Sequence, residues 1–133
     1  MKSSRQLVDQ ALAEISTLNV DAARALLGQP GVQFVDIRES AELRQEGVIP
    51  GAFHAPRGLL EFWADPASDW FQPALAADRH LVLFCAVGWR SALATKALKD
   101  MGRLHVCHIG GVFAAWKQAG EPVVLPALPP RKG

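Results

Sequence analysis

Short apolar runs alternate with helical patterns along this chain, and that alternation limits the fold more than any other feature of the sequence. The clearest runs cover residues 32–37, 81–84 and 104–109, and they are largely continuous instead of alternating between apolar and polar positions. A continuous apolar run is typical of a strand that is buried on both faces of a parallel sheet. The sequence therefore predicts an α/β domain with a central, mainly parallel sheet and helices on both faces.

Helical spacing and capping signals fill the stretches between these strands. We expect an N-terminal amphipathic helix over residues 5–15, further helices over 20–27, 40–47, 90–101 and 112–119, one or two helical turns over 57–63, and short strands at 16–18 and 52–55. The 133 residues suffice for one domain with one core. Its core is expected at about 17–122, followed by a loose, proline-rich tail over 123–133.

The composition excludes several classes of protein. Fourteen basic and thirteen acidic residues leave a net charge of +1, which gives no argument for binding nucleic acid or an anionic membrane. No apolar stretch approaches the ~20 residues of a membrane span, and a signal peptide is not indicated. Two cysteines are too few for a disulfide scaffold, so we expect free thiols and a cytoplasmic location.

Cys85 directly follows the apolar run 81–84, and a predicted helix begins a few residues later. Backbone N–H groups at such a helix start bind anions and favour the thiolate form of a cysteine. Asp36 and Gly110 also follow strands, and the carboxyl ends of parallel strands meet at one edge of the sheet. Cys85 is therefore a candidate nucleophile, although a buried cysteine that closes a core strand is the alternative. The candidate binding loop consists of Ala86, Val87, Gly88, Trp89, Arg90 and Ser91.

Individual loop residues have more than one interpretation. Gly88 allows a backbone conformation in which successive N–H groups point inward, or simply an ordinary turn. Arg90 offers a bidentate guanidinium to an oxyanion, or an exposed charge on the first helical turn. For Ser91, helix capping is favoured over donation to the thiolate. Trp89 is a candidate wall of the pocket.

Other polar residues are predicted to be structural. Asp36 is expected to accept backbone N–H groups and Arg38 to form an ion pair, with Glu42 as a candidate partner; acid–base chemistry is the less favoured alternative. Arg57 follows a short strand and either lines the pocket or lies at the surface.

The second cysteine, Cys107, is expected to be a buried structural residue. A metal site built from His105, Cys107 and His108 is disfavoured because neighbouring strand residues point to opposite faces. No metal or organic cofactor is therefore predicted.

Four motifs occur in an order that resembles the rhodanese-like family in its single-domain sulfurtransferase form. They are residues 35–39 with Glu42, residues 47–52, the loop from Cys85 to Ser91, and the pair at 110–111 with Trp116 and Gly120. Together they span residues 17–122, and the resemblance implies a three-layer domain. Val48 stands where the family usually has a structural histidine, which affects the packing of that turn and hardly the activity.

The resemblance implies that Cys85 carries sulfur as a persulfide held among the N–H groups of residues 86–91. The implied donor is thiosulfate or a similar small molecule, and the acceptor is cyanide or a thiol, with a protein persulfide as a further candidate partner. Arg90 would hold the donor's sulfonate, with Arg57 as a candidate helper. The oligomeric state is left open.

Two other functions share the same cradle. A phosphatase or arsenate reductase is one, but related phosphatases have five residues in the loop, whereas four lie between Cys85 and Arg90. A non-catalytic sulfur-carrier or regulatory module is the other, although inactive members of the family usually lack the cysteine.

Overall fold

The computed structural model describes residues 1–111, 113–121 and 123–124. Within these residues, five parallel strands form one sheet in the order β1-β5-β4-β2-β3. Their bounds are β1 Thr17–Leu18, β2 Val32–Asp36, β3 Phe53–His54, β4 His80–Phe84 and β5 Val106–Ile109. The order confirms the predicted α/β class, because parallel neighbours need helical crossovers between them.

Six α-helices connect or flank the strands in the described part of the chain. They are α1 Ser4–Glu14, α2 Val20–Leu26, α3 Ser40–Glu46, α4 Leu60–Ala64, α5 Trp89–Asp100 and α6 Phe113–Gln118, with short 3₁₀ helices at Arg57–Leu59 and Pro73–Leu75. Asn19 caps α2, since its side chain accepts the backbone N–H of Ala22.

Both faces of the sheet are covered, which gives the three predicted layers. Successive residues of a strand point to opposite faces, so Val35 belongs to one buried cluster and Phe34 to the other. The first cluster joins the sheet to α4 and α5 through Leu60 and Leu98. The second joins the opposite face to α2 and α6, with Ala23, Phe113 and Trp116 among its members.

The central strands β2 and β4 bring the candidate site to one edge of the sheet. Their register pairs Val32 with His80 and Asp36 with Phe84, so both strands end at the same level. Cys85 is the next residue after β4. The polar residues that follow these two strands therefore lie side by side.

The structure corrects the predicted inner face of α5. The sequence pattern assigns Leu93, Ala94, Ala97, Leu98 and Met101 to that face, whereas the helix buries Ser91, Ala92, Ala94, Thr95 and Leu98, and Met101 is 46% exposed. The helix is rotated relative to the predicted orientation because its first turn is hydrogen-bonded to the sulfur of Cys85, and because Ala92 packs against Val8 and Ala11 of α1.

The ends of two other elements also differ from the sequence-based expectation. Strand β5 begins at Val106, because Leu104 and His105 are exposed. Val124, expected in the loose tail, forms an antiparallel bridge with Val48 through two backbone hydrogen bonds of 2.6 and 2.8 Å. Residues 112, 122 and 125–133 lie outside the described residues. No helix in the described part of the chain is long and apolar enough to cross a membrane.

Candidate active site

The loop from Cys85 to Gly88 turns the chain sharply from β4 into α5. Gly88 adopts φ = 87°, and a Cβ atom at this position would lie 3.0 Å from the carbonyl oxygen of Gly110. Any other L-residue would therefore meet both an unfavourable backbone angle and a backbone contact. The glycine lets the loop fold back over Cys85, whose side chain is only 2% exposed.

Three donors and acceptors of the loop surround the sulfur of Cys85. The backbone N–H groups of Gly88 and Ser91 donate to Sγ at 3.2 and 3.3 Å, and the thiol lies 3.5 Å from the Ser91 hydroxyl oxygen. Two N–H groups at the start of a helix favour negative charge on the sulfur, because they are already oriented toward it. The arrangement can therefore stabilise a thiolate or a persulfide anion.

Ser91 has a different role from the one its sequence position favours. It does not cap α5, whose N-cap residue is Gly88. Its hydroxyl instead lies 2.9 Å from Nδ1 of His108, and Nε2 of the same ring lies 2.9 Å from the hydroxyl of Thr17. His108 is fully buried, and this burial lowers its pKa to about 4.

Arg90 is engaged by a carboxylate from another element. Its guanidinium donates to both oxygens of Glu42 at 2.7 and 2.8 Å, which is a bidentate pair between α5 and α3. The hydrogen bonds from Arg90 lower the pKa of Glu42 to about 2, against the opposing effect of partial burial. Arg90 thus keeps a fixed position at the start of α5.

Asp36 and Arg38 form a buried ion pair beside the site. The carboxylate of Asp36 accepts hydrogen bonds from Nε and Nη2 of Arg38 at 2.9 and 2.7 Å, and a third from the backbone N–H of Arg38. Nη2 also donates to the carbonyl of Gly47, and the guanidinium lies 4.1 Å from the ring centre of Phe113. The predicted pairing of Arg38 with Glu42 is therefore wrong, because Arg38 pairs with Asp36.

The other loop residues connect the site to its surroundings. The carbonyl of Ala86 accepts the backbone N–H of Phe113 at 2.7 Å, which ties the loop to α6. Val87 is exposed, and the side chain of Trp89 is 59% exposed. Trp89 and Arg90 line one side of a cleft of about 330 Å³ whose other wall is the start of α1, with Ser4, Arg5, Val8 and Leu93 as the remaining lining residues.

Two residues considered from the sequence lie away from the sulfur's immediate contacts. The guanidinium of Arg57 is paired with Glu61 at 2.6 Å, so its place at the pocket stays a prediction. Cys107 is buried in the cluster on the opposite face, and burial raises its pKa to about 11. Both cysteines are free thiols.

Sequence reasoning missed Glu42 as a partner of the loop, and it missed the hydrogen-bonded chain through His108 to Thr17. The sequence pattern presents position 108 as a candidate metal ligand, and Glu42 as part of the first motif and a candidate partner of Arg38. The sequence separation is 48 positions for the Arg90–Glu42 bond, 17 for the Ser91–His108 bond and 91 for the bond between His108 and Thr17. The periodic pattern of a single helix or strand gives no information on contacts between segments so far apart in sequence.

Comparison with known proteins identifies the family. A model of the rhodanese-like domain matches residues 19–119 of this chain. The chain belongs to the rhodanese-like family. Its Cys85 loop lies inside the matched range, as do the Asp36–Arg38 pair and His108.

Curated rhodanese-like relatives include sulfurtransferases. A human thiosulfate:glutathione sulfurtransferase is 31% identical over 113 residues, which cover 79% of this chain and 96% of the relative. A sulfurtransferase from Allochromatium vinosum is 34% identical over 95 residues, covering 71% of this chain and 80% of the relative. These relatives support sulfur transfer in general, between a small donor and an acceptor, as the activity of this chain.

A solved structure from Rhodopseudomonas palustris resembles the whole fold. It has a TM-score of 0.89 and 43% identity, and the alignment covers 93% of this chain and 96% of that one. That protein is described as of unknown function and as a possible tyrosine phosphatase. The similarity supports the rhodanese fold.

Proposed function

We propose that this rhodanese-like protein is a thiosulfate-type sulfurtransferase that carries sulfane sulfur as a persulfide on Cys85. The observation that carries the proposal is the convergence of the Gly88 and Ser91 N–H groups on Sγ of Cys85 at 3.2 and 3.3 Å. Such preformed donors stabilise an anion at the sulfur without reorganisation. The proposed setting is the cytoplasm, a reducing compartment that suits two free thiols.

In the first half-reaction, the thiolate of Cys85 attacks the outer sulfur of thiosulfate. The new bond joins the two sulfurs, the sulfur–sulfur bond of thiosulfate breaks, and sulfite leaves with that electron pair. The persulfide anion takes the negative charge, which the N–H groups of the loop stabilise. In the second half-reaction, an acceptor thiolate or cyanide attacks the outer sulfur, and Cys85 returns as a thiolate.

Arg90 is the proposed contact for the donor's sulfonate. Its bidentate pairing with Glu42 orients the guanidinium, and its charge lies close enough to Cys85 for the two groups to interact electrostatically. A guanidinium has five N–H donors, and two of them serve Glu42. The remaining donors suit an anionic donor molecule, and Arg57 stays a candidate second contact.

The cleft between α1 and α5 is the proposed approach for the acceptor. It is lined by Trp89 and Arg90, the residues of the Cys85 loop that lead into α5, and by Arg5 on the facing helix. A small anionic thiol fits the two basic residues that line the cleft, Arg5 and Arg90. The name of the human relative, a thiosulfate:glutathione sulfurtransferase, agrees with an acceptor of this kind.

Phosphatase activity is the second candidate, because the relative from Rhodopseudomonas palustris is described as a possible tyrosine phosphatase. The four residues between Cys85 and Arg90 favour sulfur over phosphate, since a shorter loop makes a narrower cradle. This alternative therefore ranks below sulfur transfer.

Steady-state kinetics test the proposal. The protein is assayed with thiosulfate and with mercaptopyruvate as donors, each against cyanide and glutathione, and an aryl phosphate is assayed in parallel. We expect ping-pong kinetics with thiosulfate and complete loss of turnover in Cys85→Ala, while Cys107→Ala keeps its activity. Hydrolysis of the aryl phosphate that depends on Cys85, without sulfur transfer from either donor, would contradict the proposal.

A further inference from the structure

A continuous row of hydrogen-bonding side chains leads from the buried sulfur to the edge of the sheet. Sγ of Cys85 lies 3.5 Å from Oγ of Ser91, Oγ lies 2.9 Å from Nδ1 of His108, and Nε2 of His108 lies 2.9 Å from Oγ1 of Thr17. Cys85, Ser91 and His108 are all buried, whereas Thr17 belongs to the exposed edge strand β1. The row therefore connects an enclosed thiol with the solvent.

The backbone holds this row in place. Thr17 and His108 are direct partners in the register of β1 and β5, so their side chains emerge from the same face of the sheet. On the other side, the backbone N–H of Ser91 is fixed by the sulfur itself. The hydroxyl of Ser91 consequently lies between the sulfur and the imidazole and can donate to only one of them at a time.

We propose that Ser91, His108 and Thr17 form a proton relay that removes the proton of Cys85 and reverses the tautomer of His108. The inference rests on the proposed function only in taking Cys85 as the reacting thiol. His108 acts through Ser91 and does not touch the sulfur, so it is a positioning residue.

The relay transfers one proton from Cys85 to the solvent by single steps along the row. In the thiol state the S–H donates to Ser91, the Ser91 hydroxyl donates to Nδ1, and the Nε2–H of His108 donates to Thr17. On ionisation each proton moves one step: Ser91 receives the proton of the thiol, Nδ1 receives that of Ser91, Thr17 receives that of Nε2, and Thr17 releases one proton to water. In the thiolate state the Nδ1–H donates to Ser91, and the Ser91 hydroxyl donates to the sulfur.

His108 stays neutral in both states. Its complete burial lowers its pKa to about 4, so a charged imidazole is not formed near neutral pH. The residues that face His108 from the neighbouring strands are uncharged. They are its register partners, Thr17 on β1 and Leu83 on β4. At the start of α5, Arg90 is paired with Glu42 and acts electrostatically on the sulfur.

The relay has a consequence for the reaction. A fixed Nε2–H tautomer would hold the Ser91 hydroxyl toward Nδ1 and away from the thiolate. The tautomer change turns that hydroxyl toward the sulfur when negative charge forms there. The anion then accepts the hydroxyl in addition to the two N–H groups of the loop.

Nitrogen NMR of protein labelled with ¹⁵N-histidine tests the relay without any sulfur donor. Neutral Nδ1–H and Nε2–H tautomers give distinct ¹⁵N patterns, and the His108 signals are assigned by their absence in His108→Asn. As Cys85 ionises with rising pH, monitored by thiolate absorbance in the ultraviolet, we expect His108 to change from the Nε2–H to the Nδ1–H form. A constant tautomer throughout that ionisation would overturn the proposal.

Three variants separate the relay from a purely structural role. Two variants are expected to abolish the tautomer change. Cys85→Ser has no thiol to ionise with rising pH, and Ser91→Ala interrupts the row between the sulfur and His108. Thr17→Val removes the hydroxyl that takes up the proton of Nε2, so here too the tautomer change should no longer accompany ionisation of Cys85, whereas Thr17→Ser should keep it. A wild-type tautomer change in Thr17→Val would overturn the role of Thr17. Absence of persulfide formation would refute the proposed function and leave these measurements unaffected.

Discussion

The buried imidazole of His108 should make the protein lose stability in mild acid, and replacement by asparagine should remove that loss. The pKa of His108 is lowered from 6.5 to about 4 by burial. Below pH 6.5 the unfolded chain binds a proton at this residue, whereas the folded protein binds it only near pH 4. The contribution of neutral His108 to the free energy of unfolding is therefore fully present above pH 6.5 and is lost as the pH falls toward 4.

The size of the effect follows from the same pKa values. One pKa unit corresponds to about 1.4 kcal/mol, so the change from 6.5 to about 4 corresponds to about 3 kcal/mol between neutral pH and pH 4. This is a large share of the 5–15 kcal/mol that is typical of a small domain. The dependence is steepest between the two pKa values, where it approaches about 1.4 kcal/mol per pH unit.

Urea unfolding followed by tryptophan fluorescence at a series of pH values measures this loss. The quantity of interest is the difference between wild type and His108→Asn, because His80, whose pKa is also lowered by burial, and the carboxylates are present in both. His105→Asn serves as the control, since His105 is exposed on the segment that leads into β5. Parallel stability profiles for wild type and His108→Asn between pH 6.5 and 4 would refute the reasoning.

Two further substitutions test the loop and its support. Gly88→Ala should lower stability by about 1–2 kcal/mol, because φ is 87° and Cβ would meet the Gly110 carbonyl, and should reduce sulfur transfer about 10²-fold. Gly102→Ala, at φ = 104° with open space around it, should share only the strain and keep full activity. Glu42→Gln should cost about 1 kcal/mol at neutral pH, since its pair with Arg90 is partly exposed. That difference, measured by urea unfolding, should vanish as the pH falls from 4.5 toward about 2, where Glu42 is protonated in the wild type; a constant difference would contradict it.

Much of the fold could be predicted because its signals are local. The strands β2 and β4 are apolar runs whose bounds match the predicted ones within one residue. Helix α2 begins after the side-chain cap Asn19, and the turn after α5 has a glycine, Gly102, at positive φ. The inner face of α5 was not predictable, because tertiary contacts of the loop and of α1 rotate the helix.

In the candidate site, too, only the residues whose placement depends on local sequence could be predicted. Cys85 and Gly88 could be identified from the strand, loop and helix pattern, since their placement depends on neighbours in sequence. The partners of the loop could not be identified in this way. Arg90 reaches Glu42 on α3, and Ser91 reaches His108 on β5. These contacts exist only because parallel strands bring distant segments to one edge of the sheet.

The most direct test of sulfur transfer through Cys85 is the intact mass of the protein after incubation with thiosulfate and removal of excess donor. We predict a gain of one sulfur atom, located on Cys85 by peptide mapping and absent in Cys85→Ser. Cys107 should stay unmodified, because burial raises its pKa to about 11 and its thiolate is scarce. An unchanged mass of well-folded wild-type protein, or sulfur on Cys107 alone, would contradict the account.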